Sequence, residues 1–320
     1  MELIVTLGPS ASTAAAVRAL VDAGADRVRL NASFLDGDGL RRLVSAALDA
    51  GLDTEQIVVD LQGGKTRLGM IAEPRDVVHG EEVELPVDRP AFLQALRPGD
   101  ELRLDDGRLS LQVLATERTA GRLRARALAD GRIEGRKGLA LANRPPPPAD
   151  DLLPRERPLV SAALDLGVRH FAVSYATPRL LERVREAAEA HGAADVTLHA
   201  KIEQPGAVEV LARLADAADT LWLCRGDLGA EVGLERLPRL QRRVLDEAPL
   251  DTPLYVAGQV LHHLTVSPRP TRAEACQVAE LVWRGVAGFV LSDETARGPH
   301  GPEAVAWLER LVEAAQEGCP

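Results

Sequence analysis

Aromatic residues make up only 3% of the 320-residue chain, too few to supply a run of stacking faces for nucleic-acid bases. No basic block offsets the formal net charge of −10, so nothing in the chain could track a phosphodiester backbone, and nucleic acid is excluded as the main partner. Cysteine is scarce as well. Cys224, Cys276 and Cys319 are odd in number and share no metal-ligand or disulfide-framework spacing, which points to a reducing compartment. No apolar run reaches the roughly 20 residues of a membrane span. Met1 leads directly into the strand-like LIVTLG, without a charged segment followed by an apolar one, so a secretory leader is not expected. These absences predict a soluble cytoplasmic protein with small-molecule partners.

What the chain has is 46% hydrophobic residues, mostly aliphatic, and 27% charged ones, enough for a large domain or a domain with an insertion. Its most informative stretch runs from His199 to Gly229 and carries two charged motifs, AKIEQP and CRGDLG, each closing an apolar strand-like run. Side chains two apart on a strand share a face, so Lys201 and Glu203 point the same way. Asp227 follows the run TLWLC. Neighbouring parallel strands lie roughly 4.8 Å apart, and that spacing would bring Lys201, Glu203 and Asp227 into one small volume. Two carboxylates and a lysine there suggest a divalent metal with an anionic ligand; ordinary salt bridges to Lys201 and Arg225 are the alternative.

Strand candidates recur along the chain at LIVTLG, DRVRLN, QIVVDL, HFAVSY, VTLHAKI, TLWLCRG, PLYVAGQ and GFVLSDE. Each is followed by an amphipathic helical stretch, except that the third meets a Gly-rich DLQGGKTRLG and then a region of different texture. Between Met70 and Asn143 short alternating runs are separated by PGD, DDG, TAG and ADG turn signals, the pattern of antiparallel hairpins. We read residues 70–148 as a small inserted β domain with a stiff RPPPP exit, the lid domain of the resemblance drawn below, and 1–69 with 149–320 as the main domain. Eight strands alternating with helices predict an α/β fold, the (β/α)8 TIM barrel, ahead of an open doubly wound sheet, whose Gly fingerprint is missing after the first strand. In a barrel the C-terminal strand ends carry the active site, which selects Arg29, Asn31, Ser33, Asp60, Lys65, Arg67, Ser174, Lys201, Glu203, Arg225, Asp227, Gln259 and Glu294. His262 and His263 lack a third ligand at metal spacing and read as surface residues. Cys224 reads as a core thiol, and Asp105 to Gly107 as a hairpin turn.

On these residues the chain resembles the pyruvate kinase family. VTLGPSAS, RLN-x-S, DLQG-x-K-x-R-x-G, LDDGRLSL, RKG, AKIE, RGDLG, PRPTRAE and S-x-ET occur in the family's order from Met1 to about Ala315. The resemblance implies phosphoryl transfer from phosphoenolpyruvate to ADP, giving pyruvate and ATP, with Mg²⁺ or Mn²⁺. It makes Lys201 the catalytic cation, Glu203 and Asp227 the metal ligands, Arg29 and Arg67 phosphate-binding residues, and the Gly226 and Asp227 amides a carboxylate site. Asn31, Ser33 and Asp60 correspond to ligands of a monovalent cation, with Lys65 standing where potassium-dependent members have Glu; independence of potassium is therefore expected. The effector domain that most members carry at the C-terminal end is expected to be lacking, and a homodimer through the barrel is the assembly that analogy suggests. Departures accompany the match. Gly258 stands where the family has a Thr near the enolate, and Phe34 and Leu35 replace the His-Gly that contacts nucleotide. They raise an alternative, a metal-enolate enzyme without nucleotide, such as an oxaloacetate decarboxylase or a pyruvate-forming aldolase.

Overall fold

The computed structural model describes residues 1–105, 107–142 and 150–318. Asp106 of the expected hairpin turn, the RPPPP exit and Cys319 lie outside them. The fold is an α/β barrel. Its strands are β1 (Glu2–Leu7), β2 (Arg27–Asn31), β3 (Ile57–Leu61), β4 (His170–Val173), β5 (Thr197–Ile202), β6 (Thr220–Cys224), β7 (Leu254–Ala257) and β8 (Gly288–Leu291). All are parallel and neighbour one another in chain order. The barrel closes where Glu2 to Val5 of β1 pair with Gly288 to Leu291 of β8.

The strand sequences explain this arrangement. IVVDL, HFAV, TLWLC, LYVA and GFVL are buried along their whole length, as parallel strands covered on both faces must be. Outward-facing Leu7, Leu30, Val59, Leu198 and Leu223 join the helices in the main core, while Ile4, Val58, Ala172, Trp222, Tyr255 and Val290 form a separate cluster inside the barrel. At about 25 cal/mol per Å² of apolar surface removed from water, this two-sided burial outweighs any local propensity.

The helices fall close to their expected places, with one exception. The single helical stretch expected after VTLHAKI is two short helices, Pro205–Val208 and Leu211–Ala217, because Val210 leaves helical geometry at φ −127°. Within the insert, strands Arg75–Val77 and Gly131–Ile133 pair in one antiparallel ribbon. A second, five-stranded antiparallel sheet holds Glu82–Pro86, Glu101–Leu104, Leu109–Glu117, Arg122–Ala127 and Leu139–Leu141. It packs its own core of Leu85, Leu102, Leu111 and Leu123. That core also takes Phe92 and Leu93 from helix Pro90–Ala95, which hairpin patterning does not anticipate. Leu68 belongs to the same core, and Arg67 already pairs with Gly138 across the insert. Among the described residues no helix is long and apolar enough to cross a membrane.

Candidate active site

Period-two geometry on β5 turns His199 and Lys201 into the barrel and carries Glu203 to its C-terminal rim. Lys201, 6% exposed, donates from Nζ to Asp60 Oδ2 at 3.0 Å and to Ser174 Oγ at 2.7 Å, and its ammonium stands 3.1 Å from Glu203 Oε1. Arg29, on β2, reaches the same carboxylate, donating from Nε to Asp60 Oδ2 at 2.6 Å and from Nη1 to Thr6 Oγ1 at 2.8 Å. Asp60 is thus clamped between two cations. Burial alone would raise its pKa, but Arg29 and then Lys201 outweigh that and hold it below the usual carboxylate range. For Lys201 the balance runs the other way: burial would lower it, and Asp60 followed by Glu203 raise it. The ammonium stays charged where it is buried, which is the condition for using it on a developing oxyanion.

Glu203 and Asp227 meet at the rim between β5 and β6. Glu203 Oε2 accepts the Tyr175 amide at 2.7 Å. That amide is aimed by Tyr175 itself, a non-glycine residue at φ +51° just after β4, and a strained backbone of this kind persists only where its surroundings enforce it. Asp227 accepts the Lys65 ammonium. Burial pushes Glu203 up, and the neighbouring Asp227 carboxylate adds to the effect; Asp227 is held down by Lys65 against its own burial. Asp227 lies in the first turn of helix Arg225–Val232, whose opening amides have no intrahelical partner. The positive end of that helix can therefore hold an anion. Four residues on from Asp227, and so on the same helix face, Glu231 accepts the Tyr175 hydroxyl at 2.9 Å.

The other rim residues divide sharply. Arg225 donates from Nε to Gly258 O at 3.0 Å and from Nη2 to Gln259 O at 2.8 Å, so it binds down the loop after β7. Glu294, 1% exposed, accepts the amides of Leu261 at 3.2 Å and Ser292 at 2.8 Å and ties two loops together. Of the four residues matched to a monovalent-cation site, Asn31 and Asp60 are paired neighbours at the ends of β2 and β3. Asp60 sits in the Lys201 layer, Asn31 Oδ1 accepts its own turn's Ser33 amide at 3.2 Å, and Lys65 reaches Asp227 instead of Asp60. Arg67 stands apart from the carboxylates, with its guanidinium 5.1 Å from the centre of the Phe34 ring. Burial pushes the Cys224 thiol above its usual range, in keeping with an inert core cysteine.

Above this layer a cavity of about 800 Å³ is lined by Arg29, Lys201, Glu203, Gly226 and Asp227 from the barrel and by Arg103 and Arg108 from the insert. Arg103 Nη1 donates to Ala230 O at 2.6 Å and joins the insert to the rim helix. Tyr175, Glu231 and Thr6 are site neighbours that sequence reasoning missed. Only Glu231 carried a signal, its i+4 spacing from Asp227.

A closed (β/α)8 barrel with buried cations and paired carboxylates at its C-terminal rim, facing an inserted β sheet, defines the class. The comparisons narrow it. Residues 1–305 match the family model described as "Pyruvate kinase, barrel domain". Curated relatives named "Pyruvate kinase" include one from Methylorubrum extorquens, 33% identical over 98% of this chain and 68% of its own length. Others come from Mycobacterium tuberculosis, 33% identical over 99% and 70%, and Aeropyrum pernix, 30% identical over 98% and 70%. The chain belongs to the pyruvate kinase family.

Proposed function

We propose that the chain transfers the phosphoryl group of phosphoenolpyruvate to ADP, giving pyruvate and ATP. The reading rests on family membership, and the observation that carries it is the Lys201 ammonium, buried and charged between Asp60 and Glu203 at the floor of the cavity. In that transfer the P–O bond to the enol oxygen breaks and a P–O bond to the β-phosphate forms. The enolate left behind takes a proton at its terminal carbon. Negative charge spreads over oxygens throughout, so positioning and preorganised positive charge supply most of the catalysis. Lys201 would neutralise the enolate oxygen, Arg29 would hold the phosphoryl group, and the Gly226 and Asp227 amides would hold the substrate carboxylate. Arg67 is proposed as a phosphate-binding residue on the nucleotide side. The insert, as a lid domain, would keep water from the phosphoryl group.

The donor set at the rim fits a divalent cation. Among the described residues no group of three or more His, Cys, Asp or Glu could by itself enclose a metal. Two carboxylates, with water and substrate oxygens completing the shell, is the way Mg²⁺ is usually held beside phosphates. Glu203 and Asp227 would hold it, and it would supply charge stabilisation at the transferred group. Lys65, already a fixed cation on Asp227, is the basis for proposing independence of potassium.

Purified protein mixed with phosphoenolpyruvate, ADP and Mg²⁺ or Mn²⁺ should release pyruvate and ATP in equal amounts. Absence of ATP, together with pyruvate formed from oxaloacetate, would overturn the reading.

A further inference from the structure

One peptide unit just after β4 is held from both sides. The Ser174 carbonyl accepts the Gly64 amide at 2.8 Å, and the Tyr175 N–H at its other end donates to Glu203 Oε2 at 2.7 Å. Gly63, at φ +52°, lets the turn after β3 come this close: a Cβ there would stand 2.4 Å from the same Ser174 oxygen. With Glu203 Oε1 lying 3.1 Å from the Lys201 ammonium, both oxygens of that carboxylate are placed, one by a cation and the other by this amide. The proposed reaction gives Tyr175 no part, although the orientation of its amide decides where Glu203 points.

Tyr175 aims that amide against its own preference. At φ +51° its Cβ is crowded by the backbone, and a bulky residue keeps such a conformation only under constraint. The constraint lies at the far end of the side chain. The residue is buried, and its hydroxyl donates to Glu231 Oε1 at 2.9 Å. Burial, followed by the Asp227 and Glu231 carboxylates, pushes the phenol well above its usual range, so the donor proton stays in place. Glu231 belongs to helix Arg225–Val232, and the insert grips that helix at the next residue, where Arg103 Nη1 donates to Ala230 O at 2.6 Å. Tyr175, Arg103 and Ala230 line one narrow cleft with Lys65 and Asp227. The tyrosine therefore stands where the insert, the rim helix and the paired carboxylates meet.

We infer that Tyr175 is a positioning residue for the divalent-cation site: its hydroxyl bond to Glu231 locks the left-handed backbone that turns the Tyr175 amide onto Glu203, and so sets that carboxylate before a cation arrives. The inference rests on the reading of Glu203 and Asp227 as cation ligands and goes beyond it by assigning Tyr175 and Glu231, which that reading does not use. Without the hydroxyl bond the backbone is free to relax toward negative φ. The amide then rotates away, and one oxygen of a carboxylate that is only 1% exposed loses its donor. Groups that orient a metal ligand govern affinity by about tenfold or more. The effect of Tyr175 therefore falls on cation binding and is carried wholly by the pair it forms with Glu231.

Equilibrium binding of Mn²⁺ to the full chain, read from the electron spin resonance signal of the free ion without phosphoenolpyruvate or ADP, tests it. Tyr175→Phe should weaken Mn²⁺ by about tenfold and should have no further effect in a Glu231→Ala background, because the two groups act as one unit. Tyr175→Gly should bind Mn²⁺ more tightly than Tyr175→Ala: both lack the phenol, but only glycine takes positive φ freely. A side chain that merely filled space would give no such order. Urea unfolding without metal shows which variants are folded; should Tyr175→Phe not be, Glu231→Ala, at a partly exposed position, should give the same loss of Mn²⁺. Affinity unchanged by Tyr175→Phe, an undiminished effect of Tyr175→Phe in the Glu231→Ala background, or Tyr175→Ala binding as well as Tyr175→Gly overturns the inference. The expected pattern without ATP formation overturns only the proposed reaction. ATP formation with Mn²⁺ affinity insensitive to all the variants overturns only this assignment, and a parent chain that binds no Mn²⁺ overturns both.

Discussion

A Cβ placed on Gly258 would stand 2.9 Å from the amide nitrogen of Gly226, for Gly258, at φ +87°, lies in the loop after β7 that packs against the first turn of the rim helix. The loss of the family's Thr at this position is therefore more than a missing hydroxyl, since the backbone has taken a shape that suits glycine. Restoring the residue should not restore its role. Gly258→Thr is expected to cost roughly 1–3 kcal/mol of stability and to raise the KM for phosphoenolpyruvate by pushing the Gly226 amide out of the proposed carboxylate site. Urea unfolding and steady-state kinetics check both effects. A variant as stable as the parent and faster would show that the loop readily adopts another form.

Lys201 and its neighbours give a second expectation. Lys201→Met should lower kcat on the order of 10²–10³-fold, the usual cost of one preorganised charge at a developing oxyanion. It should also destabilise the fold by about 3–5 kcal/mol, because Asp60 and Glu203 would be left buried without their shared ammonium. Circular dichroism at the assay temperature separates the two losses. Glu203→Gln should instead raise the Mg²⁺ concentration for half-maximal activity by roughly tenfold or more. Activity that survives both changes would mean that the reaction happens elsewhere.

How much of this could be read from the chain depends on whether a residue acts through its side chain or through its backbone. TLWLC and IVVDL announced strands because each is a short run apolar at all but one position, and AKIE placed Lys201 and Glu203 on one face by period two alone. The Tyr175 contribution was illegible, since it acts through an amide aimed by a positive φ that its identity does not encode. Helix Pro90–Ala95 was hidden because six residues among alternating strands give too short a period to recognise. The ion pair of Lys65 with Asp227 spans 162 residues of sequence and depends on the barrel bringing the end of β3 opposite the end of β6. Arg136 and Arg155 likewise meet, both donating to Gln62 Oε1, only once the insert is folded back on the barrel.

Lys65 carries a third expectation. With its ammonium fixed on Asp227, the positive charge that a monovalent ion would bring is already covalently attached to the chain. Replacing sodium by potassium at constant ionic strength should leave kcat and KM unchanged in a coupled pyruvate assay. A many-fold rise with potassium would show that Asn31, Ser33 and Asp60, the first and last of them paired neighbours on β2 and β3, form an ion site.

The floor of the barrel supplies a pH dependence independent of catalysis. His199, 4% exposed, stacks on His170 with ring centres 5.5 Å apart; its Nδ1 meets Thr220 Oγ1 at 2.7 Å and its Nε2 meets His170 Nδ1 at 3.3 Å. Burial, then the His170 and Arg27 charges, lower its pKa from 6.5 to about 3. A depressed histidine pKa means that the unfolded chain binds the proton first, so the stabilisation is complete above pH 6.5 and is lost progressively as pH falls toward 3. Between pH 7 and pH 5 the loss from this one residue comes to about 2 kcal/mol. Other titrating groups contribute as well, but they are common to the parent and to His199→Gln, which keeps a polar partner for Thr220. The stability gap between the two proteins, from urea unfolding, should therefore narrow by about 2 kcal/mol on going from pH 7 to pH 5. An unchanged gap would mean that His199 titrates in the folded barrel much as it does in the unfolded chain.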